Sequence, residues 1–532
     1  MEKGIGYGGC GGRSGIARKI KSFGLILLVL SCAKISPPPG APPDVTPPQL
    51  VMSIPPPYSK NVPLNSKIVF QFDEPIRIEE GAIYISPMVR GFRWNVKGKT
   101  LTVTPVSWEE NKTYFITIGT GLSDRMMNRI SKPIEFLFST GATIDTGSIC
   151  GYVFEPDFSP SSGAIVGLYP IDTLNPVDSI PPLYFTITNT RGYFRLSGIP
   201  QKSFVPFAFK DANRSGRPEF SSELIGYPSR MISAGENMNF VLEPRNYNSV
   251  KSGAWIDRFE AELELENPVI FVPFKSPDSR AYLYISPESN KKIRVALKDS
   301  VQDTLYEVNV YGIINENFTR QNLFYKLTRE NNEKIKDQRL FSVAPEYTSR
   351  GIALRVSFFH PVRHPRFELR KGTKNIAITK IDTLDFVRFI LWAEHEISPG
   401  DSLVVRATPE RFPFEMDSVG SEEAIFIPDE TQFGELRITF QKPLSEPNIF
   451  LLLVGTGKKE AARVEKARMN FKYFPVGRYK IFGFIDMDGS GCYSAGGEGW
   501  WAEELFYQEG DIVVKYGWAT EITINFAPYE DK

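Results

Sequence analysis

The chain has 532 residues, room for three or four domains at about 150 residues each. An apolar share of 42% at zero formal net charge excludes a wholly disordered chain. Lys plus Arg and Asp plus Glu are equal at 62 each, so there is no basic surplus of the kind that phosphate contacts demand, and a nucleic-acid partner is not expected.

The chain opens with Arg18, Lys19 and Lys21, then the apolar run from Phe23 to Leu30, then Ser31 and Cys32. A basic segment followed by a short apolar one has the pattern of an export signal, and the run is too short to cross a bilayer. Val29-Leu30-Ser31-Cys32 resembles the bacterial lipobox. That resemblance implies cleavage after residue 31 and lipidation at Cys32, the other reading being an ordinary cleaved secretory signal. Ala33 follows the cysteine in place of Asp, which by resemblance to enterobacterial sorting implies the outer membrane or cell surface. Pro37, Pro38, Pro39, Pro42, Pro43, Pro47 and Pro48 then favour an extended, stiff stalk over 32–46.

From Ser66 the pattern changes to period two. Ile68, Phe70 and Phe72 alternate onto one face, and similar runs follow at 82–86, 92–96, 100–104, 114–118 and 134–139, separated by turn residues. Six or seven strands in about 95 residues is the spacing of an immunoglobulin-like sandwich. The segment Asn65 to Ile76, with Leu101-Thr102-Val103-Thr104-Pro105, resembles the bacterial Ig-like domain of S-layer and other surface proteins, over 47–141.

A second pattern runs through 142–245: Gly147-Ser148-Ile149-Cys150-Gly151-Tyr152-Val153, then Ala164 to Tyr169, then Thr188 to Phe194. It is similar to the carboxypeptidase-regulatory or transthyretin-like β-sandwich, a non-catalytic companion domain. Both patterns echo later in the chain. Residues 352–362 answer 68–76, residues 432–440 answer 145–154, and Tyr479 to Asp486 answers Phe204 to Asp211. The expected fold is therefore all-β, with tandem Ig-like and transthyretin-like sandwiches, the second pair at 346–430 and 431–532. Residues 246–345 fit neither module, although 282–285 and 306–310 read as strands and 329–339 as a charged turn or short helix. End-to-end stacking of such modules would make a rod.

The sharpest chemistry lies in two matching loops, Asp211-x-Asn213-x-Ser215-Gly216 and Asp486-x-Asp488-x-Ser490-Gly491. Oxygen ligands at alternate positions before a turn glycine suit a hard cation, and calcium is the expected ion. The loops resemble the first half of an EF-hand or dockerin loop. The twelfth position holds Ser222 or Gly497, and the nearest acids, Glu223 and Glu498, stand at the thirteenth. The competing reading is a polar turn in which Asp and Asn satisfy local backbone. Trp500 and Trp501 follow the second loop beside acids, as a sugar-stacking platform would; packing is the commoner use of such rings. Cys150 and Cys492 read as small buried thiols rather than a disulfide. His360 and His364 are each followed by proline, a poor setting for a helical zinc pair. No nucleophile, zincin, Walker or dinucleotide motif occurs. The chain reads as a non-catalytic envelope lipoprotein with a structural, adhesive or scaffold role, whose partners are a membrane through the lipid and envelope proteins or polysaccharide. The alternatives are calcium-assisted polysaccharide binding and an unrecognised hydrolase within 246–345.

Overall fold

A computed structural model describes residues 44–525, apart from 90, 172–179, 220–221, 245–247, 257–258, 274–280, 299–304, 316–319, 329–339, 386, 394–395, 412–419, 442–447, 456–457, 465 and 497–500. Period two becomes pairing at once: Ile68, Phe70 and Phe72 are the buried side chains of Ile68–Phe72. That strand lies between Leu50–Ile54 and Thr100–Pro105, with Phe92–Lys97 beyond, and a second sheet orders Ile83–Ser86, Thr113–Ile118 and Ile134–Ser139. Lettered along the chain, the sheets run A-B-E-D and C-F-G, the constant-type immunoglobulin arrangement. Trp108 closes the core between them and donates its indole N–H to the Ser66 carbonyl at 2.9 Å.

The segment that fits neither sequence pattern is a further sandwich of the same order. One sheet runs Val250–Trp255, Glu260–Leu265, Lys292–Leu297, Ala281–Ile285, and the other Val269–Phe271, Leu305–Asn315, Arg320–Thr328. Its strands alternate as the others do: Ala261, Leu263 and Leu265, with Ile293, Val295 and Leu297, fill the core, while Arg294, fully buried and paired with Glu262 at 2.7 Å, lies on the opposite face of the same sheet. A fourth sandwich repeats the order with Phe341–Thr348, Gly351–Phe358, Arg388–Trp392 and Lys380–Thr383. It starts ahead of the expected boundary at 346. The echoed segments 68–72 and 351–358 are thus both strand B.

The second and fifth sandwiches share a different plan. In each, a three-stranded sheet has its first strand at the centre, antiparallel to one neighbour and parallel to the last strand: Tyr193–Ile199, Gly147–Phe154, Phe240–Val241 in one, and Arg468–Pro475, Phe433–Phe440, Ala519–Ile524 in the other. Facing these are the sheet containing Tyr184–Ile187, Ile165–Tyr169, Ser203–Phe209 and Ile225–Gly226, and the sheet Lys458–Arg463, Ile449–Gly455, Gly477–Ile485, Leu505–Val514. The echoed glycines have a shared cause. A Cβ at Gly147 would lie 2.5 Å from the Ile199 carbonyl oxygen, and one at Gly434 would lie 2.4 Å from that of Lys515.

Gly151 is tighter still, since a Cβ there would sit 1.8 Å from the Met238 carbonyl oxygen. Backbone cannot move aside as a side-chain tip can. Gly151→Ala is expected to destabilise the second sandwich by about 3 kcal/mol or more. Thermal melting checks this, and an unchanged melting temperature would refute it.

From Thr46 onward the chain forms one compact unit. The rod expectation fails because the fifth sandwich folds back onto the second. Tyr152, Phe154 and Phe158 of the second share an apolar cluster with Phe482, Phe484, Tyr493 and Leu505 of the fifth and Ile314 of the third. Phe154 and Phe158 meet the Phe482 ring at 5.0 and 4.8 Å. Cys150 and Cys492 are not joined in a disulfide, as expected, but each is only part-buried rather than buried. Among the described residues no helix is long and apolar enough to cross a membrane.

Candidate metal centre

Both Asp-x-Asx-x-Ser-Gly loops leave the third strand in the order of their sheet, five-stranded in the second sandwich, where Ile232–Ser233 also pairs with that strand, and four-stranded in the fifth. The strand Ser203–Phe209 delivers Asp211, and Gly477–Ile485 delivers Asp486. The loops then turn identically, with left-handed backbone at Arg214 and Gly216 in the first and at Gly489 and Gly491 in the second. In the first, the Asp211 carboxylate accepts the Ser215 and Gly216 N–H groups at 2.8 and 2.9 Å, and Asn213 Oδ1 also accepts from Ser215. In the second, Asp486 accepts from Ser490 and Gly491, each at 3.1 Å, and Asp488 accepts from Ser490 at 2.9 Å. These bonds belong to the polar-turn reading, and each leaves carboxylate lone pairs unused.

A glutamate closes each loop from behind. Glu223 accepts the N–H of Ala212, the residue after Asp211, at 2.9 Å, and also that of Glu219 at 3.0 Å. In the second loop the corresponding acid is Glu503. It accepts the N–H of Met487, the residue after Asp486, at 2.8 Å and that of Ser494 at 2.9 Å. Glu498, the residue that spacing nominated, lies outside the described residues, as does Trp500. Counting from the first aspartate finds Glu223 and misses Glu503, because the second loop is longer before its glutamate. Trp501 is described and 46% exposed, and its neighbour Ala502 donates its N–H to the Pro228 carbonyl.

The two loops differ in surroundings. Asp211, Asn213 and Ser215 lie at the surface, near Tyr84 of the first sandwich. Asp486, Asp488 and Glu503 converge so that one oxygen of each lies within 4.8 Å of the others, and Asp486 and Glu503 are buried. Arg320 of the third sandwich reaches Asp488 at 2.5 Å, and its N–H bonds the Gly496 carbonyl. Set against one guanidinium, three ionised carboxylates leave two negative charges, the charge of a divalent cation. Burial foremost, then the charge of Asp488, pushes the Glu503 pKa up to about 8. Burial also raises Asp486, and Asp488 adds to it. Oxygen donors alone suit calcium or magnesium rather than softer metals.

The first sandwich also has a sequence relative. Residues 44–140 match the Bacterial Ig-like domain. No curated protein matches the chain. Among solved structures, an L,D-transpeptidase from Mycobacterium smegmatis is 14% identical, covering 38% of this chain and 92% of its own, with a TM-score of 0.14. The major pilin subunit of Bacillus cereus is 9% identical over 72% of this chain and 99% of its own, TM-score 0.13. A Dscam1 fragment of four Ig domains is 9% identical over 72% and 98%, TM-score 0.21. Superposition over the whole chain is poor in all three, and nothing about this chain's role follows from them.

Proposed function

We propose that this chain is a non-catalytic structural protein of a bacterial envelope, exported and held at the membrane through lipid on Cys32, whose sandwiches are locked together by a calcium ion. The match at 44–140 supports a bacterial surface setting, and the pairs of β-sandwich modules favour the transthyretin-like label for the second and fifth. The observation that carries the reading is the acidic triad at a seam. Asp486, Asp488 and Glu503 belong to the fifth sandwich, yet the same excursion bonds Arg320 of the third and the Pro228 carbonyl of the second. An ion held there would fix three sandwiches at once, as a structural body under tension requires. Asp211, Asn213 and Ser215, which are more exposed, would form a weaker counterpart with the buried Glu223 behind them. Several acyl chains on a lipoprotein cysteine would hold the body firmly at the bilayer.

Calorimetry of the body from Thr46 onward tests this. Calcium should bind with release of a proton at pH 7, because an acid with a pKa of about 8 is mainly protonated there and must ionise to ligate. Titration in buffers of different ionisation enthalpy reads the proton count. No calcium heat, with no change in melting temperature, would sink the metal reading. The anchor has a separate test: globomycin-sensitive processing and palmitate labelling lost in Cys32→Ala.

A further inference from the structure

Beyond the cation loop, the fold-back creates a cleft between the second and fifth sandwiches that neither has alone. Its volume is about 540 Å³, within the range of small-molecule sites. The floor is aromatic. Tyr152 from the second sandwich meets Tyr507 from the fifth at 5.2 Å, ring edge to face. Tyr507 is itself fixed from beneath, stacked on Phe482 at 5.1 Å and against Phe154 at 4.9 Å. A ring held this way has little rotamer freedom left to lose when a ligand stacks on it.

The rim is charged and balanced. Arg191 of the second sandwich lies 3.7 Å from Glu509 of the fifth, and Arg478 lies 3.5 Å from Asp511. Both separations exceed a good hydrogen bond, and three of the four side chains are mostly exposed, so each pair offers donors and acceptors without a tight contact to break. The strand Leu505–Val514 makes this rim possible. Its register jumps between Ile481↔Gln508 and Lys480↔Asp511, so Glu509 and Gly510 bulge out of the ladder at the sheet edge, a device that re-aims side chains beside binding sites.

Two guanidiniums matched by two carboxylates give no net charge to attract a phosphate or a cation. Paired donors and acceptors around stacked rings instead match a ligand with hydroxyls on its edge and C–H groups on its faces. We infer that this cleft binds a neutral polysaccharide segment across the two sandwiches. No part of the cation loop lines it, so the inference stands or falls independently of calcium.

The test uses the body from Thr46 onward with cellohexaose, chitohexaose and maltohexaose as probes, read by calorimetry and saturation-transfer NMR, with and without EDTA. At least one probe should bind saturably, in EDTA as well as in calcium. The double variant Arg191→Ala, Arg478→Ala removes exposed side chains, so it should keep the wild-type melting temperature yet bind that probe at least tenfold more weakly. Tyr507→Phe, which keeps the ring, should stay within a few-fold of wild type, and Tyr507→Ala should lose binding. Absence of binding to all three sugars overturns the inference, as does a double variant that binds as tightly as wild type, or inorganic phosphate competing for the cleft.

Discussion

Millimolar calcium is expected to raise the melting temperature of the body by roughly 2–4 °C at pH 8, from about 2.7 kcal/mol of linkage at a hundredfold excess over Kd set against the unfolding entropy of a body this large. Glu503→Gln should abolish that rise. The pH dependence follows from the raised pKa of Glu503, about 8 against an ordinary glutamate near about 4.3. Between those values the folded chain holds a proton that the unfolded chain has released. Metal-free stability therefore falls as pH rises across that window, and is restored on acidification. Calcium takes the place of the proton, so its stabilising effect should grow from pH 5 to pH 8. The control is Glu223→Gln, which alters the exposed loop and should leave most of the shift intact. A wild-type protein whose melting temperature ignores calcium at pH 8, or a Glu503→Gln variant that responds like wild type, would refute the assignment.

Phe482→Ala should destabilise the body by about 3–5 kcal/mol, the range for truncating a large ring in a packed core. Phe482 is fully buried, but it faces away from the interior of its own sandwich, towards Phe154, Phe158 and Tyr507. The effect should therefore appear as loss of the seam. Hydrogen exchange should quicken across 152–158 and 479–507, the radius of gyration should increase, and the far-ultraviolet β signal should persist. Phe471→Ala, in the fifth sandwich's own core, supplies the contrast: a similar loss of stability with unfolding of that sandwich. If Phe482→Ala left exchange at 152–158 unchanged, the seam would not be the coupling element described here.

Parts of this seam were visible in the sequence. Tyr152-Val153-Phe154 and Ile481-Phe482-Gly483-Phe484 break strict alternation, and continuous apolar runs mean burial on both faces. Val153 and Ile481 fill their own sandwiches, while Tyr152, Phe154, Phe482 and Phe484 fill the shared cluster. What such runs do not carry is a partner. Apolar surface is complementary to any other apolar surface, and nothing local to residue 154 points to residue 482. The cation loops were legible only in part for a related reason. Alternate oxygens and a turn glycine are local signals, whereas Glu503 reaches the loop through a longer excursion and Arg320 arrives from another sandwich.

The sequence alone determined the all-β class, the Ig-like pattern of the first sandwich and the leading aspartates of both loops, because side-chain alternation and turn chemistry act within a few residues. Only the tertiary structure decided the same strand order in the third sandwich, the return of the fifth onto the second, the gathering of Asp486, Asp488 and Glu503, and the tyrosine-floored cleft. Each of these depends on which distant surfaces meet, and that is set by summed burial over the whole body, which the local period does not encode.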